Sequence, residues 1–233
     1  MSLTTNIVAY WKLDESTGNP ADATGNGNGL TNSGGTYAAA LINNGLDLGS
    51  GNDVLNSGNY TYINSAMGIA SGGDFSISLW FKRHQEITSS PGSVFFLSRR
   101  INGNGGLYQV QYNYNGGVEN IGWNDGGAVG SHTVTLGTTW HHLVVARASS
   151  SSTIYLDGSS IGTQATGTTS ESSNYLQIGC AGTQYFNAAI FDEIGVWSRG
   201  LSSTEVTKLY NSGAGLQYPF PTVSTGSFLT AML

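Results

Sequence analysis

A single cysteine, Cys180, stands in 233 residues, so no disulfide can form within the chain. Charge is nearly as scarce. Only 14 acidic and 8 basic side chains are present, 9% of the sequence, against about 25% in an ordinary globular domain. Long solvent-facing helices are normally carried by Glu, Lys and Arg, so the shortage argues against a mainly helical protein. The net charge of −6 leaves no basic stripe to neutralise phosphates, which excludes duplex nucleic acid as the partner. No apolar run approaches the roughly 18 residues of a spanning helix, so membrane insertion is not expected. The opening Met1-Ser-Leu-Thr-Thr-Asn6 lacks the positive region and apolar core of a secretory signal, so an exported precursor is not expected either.

What is plentiful is glycine, at 34 residues roughly twice the usual share, together with 12 Tyr, 8 Phe and 5 Trp. That apolar and aromatic material suffices for a core and excludes wholesale disorder. The length suits one all-β domain, since sandwiches often reach about 200–250 residues as a single unit.

Period-2 alternation recurs along the chain. Phe75, Ile77, Leu79 and Phe81 share one face and Ser76, Ser78, Trp80 and Lys82 the other, which predicts a strand over 74–83. Further strands are predicted at 6–13, 45–50, 93–100, 107–114, 118–123, 132–136, 140–147, 152–157, 174–179 and 187–197. Between them Gly103-Asn-Gly-Gly, Asn115-Gly-Gly117 and Asp157-Gly158 supply the positive-φ positions that tight hairpins need. Ten or more short strands so punctuated predict an all-β fold, a two-sheet antiparallel jelly-roll sandwich. One short C-terminal helix is predicted after it. Ser202-Ser-Thr-Glu205 is a capping-box pattern, Val206, Leu209 and Tyr210 follow at helical spacing, and Gly213 can end the helix. It is expected to lie across a sheet edge or loop. The domain is taken as residues 1–216. Residues 217–233 carry no charge and are read as a docking tail, for its own domain, a neighbouring subunit or a larger assembly.

Several segments together resemble laminin-G-like, concanavalin-A-like jelly-roll domains. They are Val8-Ala-Tyr-Trp-Lys-Leu-Asp-Glu-Ser-Thr-Gly18, Ala21-Asp-Ala-Thr-Gly-Asn-Gly-Asn-Gly29, Phe75-Ser-Ile-Ser-Leu-Trp-Phe81, Trp140-His-His-Leu-Val-Val145, Ile154-Tyr-Leu-Asp-Gly158, Leu176-Gln-Ile-Gly179 and Ala189-Ile-Phe-Asp-Glu-Ile-Gly-Val-Trp197 with the helix that follows. The resemblance covers roughly residues 7–212. It implies two curved antiparallel sheets, often a structural calcium, and a binding surface built from sheet or loops. That superfamily includes lectins, pentraxins, adhesive modules, virion proteins and glycoside hydrolases, so the residues must choose among uses.

Glycoside hydrolysis needs two carboxyls facing one cleft. The laminarinase-like members place acids at alternate strand positions, whereas Asp192 and Glu193 are adjacent, and regular strand geometry sends them to opposite faces. No Gly-x-Ser-x-Gly elbow is present, Cys180 reads as a packed small residue, and His141 and His142 face opposite ways on a strand. The chain is therefore read as non-catalytic. The loop Asp22-Ala-Thr-Gly-Asn26-Gly-Asn28 offers hard oxygens for calcium. In related domains it lies near the aspartate matched by Asp192, so a site of Asp22, Asn26 and Asp192 is one expectation. The other is that Asp22 and the asparagines cap turns. A sugar surface is sought in Tyr112, Tyr114, Trp123, Asn124 and Asp125, aromatic faces beside amides and an acid. Tyr108, Tyr112 and Tyr114 share one strand face, which is either that surface or core.

The expectation drawn from all this is a binding or decoration module on a virion surface, such as a phage structural or host-attachment protein, or on an extracellular cell surface. It would contact a surface glycan or a virion or capsid partner, with residues 217–233 serving a homo-oligomer. A carbohydrate-binding module of a bacterial secreted enzyme, and a glycoside hydrolase with a dispersed acid pair, are the alternatives.

Overall fold

In the computed structural model, which describes residues 1–49, 59–64, 67, 73–86, 92–100, 106–124, 129–165, 175–181 and 187–221, alternating side chains resolve into two antiparallel sheets and one short helix. The strands are β1 (Ile7–Trp11), β2 (Thr31–Ser33), β3 (Thr36–Ala39), β4 (Asn44–Asp47), β5 (Tyr60–Asn64), β6 (Phe75–Arg83), β7 (Gly92–Arg100), β8 (Gly106–Asn115), β9 (Val118–Asn124), β10 (Val129–Val134), β11 (Trp140–Ala148), β12 (Ser151–Leu156), β13 (Ser159–Ala165), β14 (Tyr175–Ile178) and β15 (Ala189–Trp197), followed by α1 (Ser203–Tyr210). Sheet A runs β13-β12-β11-β6-β15-β4-β3, with β1 also paired to β15, and sheet B runs β10-β9-β8-β7-β14-β5-β2.

Between the sheets lies the main core. Phe75, Ile77, Leu79, Phe81, Leu143, Val145, Phe191 and Val196 from sheet A meet Val94, Phe96, Tyr108, Val110, Tyr112, Ile121, Trp123 and Leu176 from sheet B. Burying such side chains at roughly 25 cal/mol per Å² is the dominant favourable term. An ionic pin, buried at its Arg83 end and half-buried at its Glu119 end, reaches into the same interior. Arg83 of β6 donates to Glu119 of β9 at 3.0 Å and to the Leu136 carbonyl, and it stacks over the Tyr112 ring at 4.6 Å. The Tyr112 hydroxyl donates to the same Glu119 carboxylate at 2.7 Å.

Sheet A has a second buried face. Tyr10, Val144, Ala146, Tyr155 and Trp197 point away from sheet B and pack under Val206 and Leu209 of α1 and under Phe220. The helix therefore lies on a face of sheet A, rather than along an edge or loop as expected, because its apolar side meets these outward residues. Its N-terminus forms the predicted capping box, with Ser202 accepting from the Glu205 N–H, and Arg199 clamps Glu205 at 2.8 and 2.9 Å. Asn211, in the left-handed region at φ 49°, ends α1, and Gly213 closes only the short 3-10 turn beyond.

Two hairpins follow their turn chemistry. Asp157-Gly158 adopts φ 51° and 77° between β12 and β13, and Gly116-Gly117 adopts φ 60° and 85° between β8 and β9. The Gly103-Asn-Gly-Gly signal lies outside the described residues. Of the tail, residues 217–221 pack on this domain: Tyr218 and Phe220 sit 5.7 and 5.3 Å from the Tyr10 ring. Residues 222–233 lie outside the described residues.

Candidate functional site

Much of the outer face of sheet A is covered by α1 and Phe220, while among the described residues the outer face of β8, β9 and β10 on sheet B carries half-buried and exposed polar side chains. Strand alternation decides what it carries. On β8 the side chains of Tyr108, Val110 and Tyr112 enter the core, so Gln109, Gln111 and Asn113 point outward. On β9 Ile121 and Trp123 enter the core, which turns Asn120, Gly122 and Asn124 outward.

The register aligns these residues in rows across the strands. Gln109 faces Asn124; Gln111 faces Gly122, which faces Ser131; Asn113 faces Asn120, which faces Thr133. The amides are half-buried, so they lie along the sheet rather than standing off it, and Ser131 and Thr133 on β10 are exposed. Gly122 makes this possible. A Cβ there would meet Gln111 Cγ at 3.0 Å, Gln111 Nε2 at 3.1 Å and Asn113 Nδ2 at 3.3 Å. The Thr133 hydroxyl donates to Asn120 Oδ1 at 3.2 Å, tying β10 to the array.

Toward β7 the Asn124–Gln109 row runs under cover at Ser98 and Gln177. Gly179, at φ 82°, turns the chain, and the Cys180 carbonyl accepts from the Ser98 hydroxyl at 2.8 Å, leaving Ser98 and Gln177 buried. Beyond lies an aromatic pair on β5, Tyr60 and Tyr62, with rings 5.6 Å apart.

The residues predicted as a sugar surface divide. Tyr112 and Trp123 are fully buried core residues and Tyr114 packs against the same core, a correction. The tyrosine stripe is simply the inward half of β8, and its aromatic rings drew attention from the outward half. Asn124 does lie on the outer face, and Asp125 is outside the described residues. The missed residues, Gln109, Gln111, Asn113 and Asn120, were signalled by the same alternation read one position over.

The side chains of the expected calcium set each make hydrogen bonds within the fold. Asp22 Oδ1 accepts from the Tyr10 N–H, the Thr24 N–H and the Thr24 hydroxyl at 3.1, 3.0 and 2.7 Å, and Oδ2 accepts from the Asn28 N–H at 3.0 Å. Asn26 turns its amide nitrogen to the Ile7 and Val8 carbonyls. Asp192 instead accepts from the Ile42 N–H at 2.9 Å. Among the described residues, no three His, Cys, Asp or Glu side chains group as a metal would need.

Asp192 and Glu193 correct a second expectation. A bulge shifts the β15 register between Asp192 and Gly195, with Glu193 at φ 47°, so both carboxyls lie on the outer side of sheet A rather than on opposite faces. They are sealed there, 0% and 2% exposed. Gln217 Nε2 bridges Glu193 at 2.7 Å and Asp14 at 2.9 Å, so an amide donor already sits between those two carboxyls. Burial pushes Asp192 up to about 9 and Glu193 to about 7.

The Ser78–His142 contact, 2.8 Å, is equally closed: both side chains are buried, with the Trp80 ring 4.9 Å from His142 and Tyr210 over both. Burial depresses the imidazole to about 3. Asp157 accepts from the His142 backbone N–H and pairs with the His141 ring, so it does not orient the His142 imidazole as a relay would require.

Residues 56–207 match the family model Laminin_G_3, described as the concanavalin A-like lectin/glucanases superfamily. Domain 4 of AbnA, a GH43 extracellular arabinanase from Geobacillus stearothermophilus solved with arabinotriose, superposes with TM-score 0.64 at 15% identity, over 87% of this chain and 97% of its own. The binding domain of botulinum neurotoxin DC, solved with rat synaptotagmin II, gives 0.69 at 13%, over 91% of this chain and 52% of that one. A Trypanosoma rangeli sialidase mutant displaying trans-sialidase activity gives 0.68 at 15%, over 92% and 34%. These likenesses show the shared jelly-roll fold. No curated protein sequence matches the chain.

Proposed function

Because the chain belongs to the Laminin_G_3 family of the concanavalin A-like lectin/glucanases superfamily, we propose that it is a non-catalytic glycan-binding module displayed on a virion or cell surface. The observation that carries the reading is the outer face of β8, β9 and β10, where amides and hydroxyls lie in register with a glycine at their centre. Such groups donate to and accept from sugar hydroxyls. No carboxyl is among the outward residues described on these strands, and the paired acids of β15 are buried on the other sheet, which supports binding without hydrolysis.

A second reading, a carbohydrate-binding module of a larger bacterial enzyme, is favoured by AbnA domain 4. That neighbour was solved with arabinotriose, and this chain aligns with nearly its whole length. Both readings share one test. A glycan array probed with the wild-type chain and with Gln111→Ala/Asn113→Ala/Asn120→Ala should show binding lost in the variant at unchanged thermal stability. Equal binding by both proteins would remove this face from the function. Display is tested separately by ending the chain after Pro221, which leaves the Tyr218 and Phe220 contacts in place. Loss of concentration-dependent assembly supports a role for residues 222–233 in docking, and unchanged assembly counts against it.

A further inference from the structure

The outward residues described on β8, β9 and β10 contain no Lys, Arg, Asp or Glu. Carboxylated or sulfated sugars are held through charge-assisted bonds from Arg or Lys, and no such donor is described on this face. The acidic balance of the whole chain would further repel an anionic polymer. The array instead offers paired donors and acceptors, the complement of neutral hydroxyls.

The arrangement also has a direction. Along one strand, outward neighbours alternate with core residues. Across the strands, Gln111, Gly122 and Ser131 follow one another without interruption, as do Asn113, Asn120 and Thr133. Neighbouring strands lie about 4.8 Å apart, so the Asn113, Asn120 and Thr133 row offers a polar side chain at every such step. Gly122 is buried, and its missing side chain lets the Gln111 and Asn113 amides lie flat over it. Toward β10 the exposed Ser131 and Thr133 leave the rows open.

Resting on the glycan-binding reading above, we infer that the ligand is an uncharged, extended oligosaccharide chain lying across β8, β9 and β10, its hydroxyls paired with Gln111, Asn113 and Asn120 where the first two of these amides lie flat across Gly122. Recognition is by neutral hydrogen bonds, so affinity is insensitive to salt, unlike an electrostatic contact.

The experiment is native affinity electrophoresis of the full chain through gels holding neutral polysaccharides (arabinan, xylan, mannan) or anionic ones (polygalacturonate, heparin), at low and high salt. Retardation is expected with at least one neutral polymer, unchanged by salt. Gln111→Ala should weaken it roughly tenfold, as losing one or two hydrogen bonds does. Gly122→Val should weaken it as strongly by displacing the Gln111 and Asn113 amides that lie over Gly122, with the melting temperature of each variant checked. Retardation only by anionic polymers, abolished by salt and by Gln111→Ala, would overturn the neutral-ligand inference while leaving the site in place. Retardation that Gln111→Ala and Gly122→Val both leave unchanged overturns the inference together with the site. No retardation by any polymer overturns both as well, given a positive-control lectin in the same gels.

Discussion

The Tyr10 hydroxyl lies 2.5 Å from Glu193 Oε2 and 3.0 Å from the Leu216 carbonyl oxygen. The hydroxyl donates to the Glu193 carboxylate, with the Leu216 carbonyl oxygen as a second acceptor. Burial, first of all, raises the Tyr10 hydroxyl well above its ordinary value, so it stays a donor.

This sets a pH dependence of stability. Burial raises Glu193 to about 7 and Asp192 to about 9, whereas the unfolded chain releases these protons near about 4. The fold binds more protons than the unfolded chain, so the stability from both groups is full below about 4. It falls as pH rises, the Glu193 share lost through about 7 and the Asp192 share through about 9. Calorimetric melting temperatures should therefore decline from mildly acidic to alkaline pH, and Glu193→Gln should flatten the lower part of that decline. A melting temperature that climbs toward alkaline pH would contradict this account.

The Arg83–Glu119 pin should behave as a buried pair. Burial works against the Glu119 charge, but hydrogen bonds from Tyr112, the Leu136 N–H and Arg83 outweigh it and hold the carboxyl below its usual range. Glu119→Leu leaves Arg83 charged in the interior and should cost about 3 kcal/mol in urea unfolding. The double variant Arg83→Met/Glu119→Leu should recover much of that loss. If the double variant is no better than the single one, the pin matters through packing alone.

At the helix, Ser202→Ala removes the cap and should lower stability by about 1 kcal/mol. Val206→Ala, which opens a hole against the outer face of sheet A, should cost about 2 kcal/mol. Chemical denaturation of the two variants ranks these effects, and the reverse order would mean that the cap, not the buried side, anchors α1.

Much of this fold was legible in the sequence, for local reasons. The Asp157-Gly158 turn, the Gly116-Gly117 turn and the Ser202–Glu205 cap each depend on a few neighbouring residues, and each forms where its chemistry directs. Strands β2, β3 and β5 escaped notice because they are short, of three to five residues. Strand β13 was visible only as the far side of the Asp157-Gly158 hairpin, since its side chains are largely half-buried or exposed. The bulge at Asp192–Glu193 was beyond sequence reading, because it is set by the register of β15 against β6, with β1 paired along the other edge. The outward polar face proposed to bind glycan was written in the alternation of β8 all along. Its period was evident, but its phase, which half faced the core, was fixed only by the opposing sheet.

Sheet A, committed on both sides to packing, has little freedom to vary: a change at Val144 or at Val145 disturbs one core or the other. The outward amides of sheet B carry no such burden, and substitutions at positions of that kind usually shift stability by under about 0.5 kcal/mol. If the proposed glycan site holds, its specificity can therefore drift, one outward residue at a time, without endangering the framework that presents it. Close relatives should differ in what they hold far more readily than in how they fold.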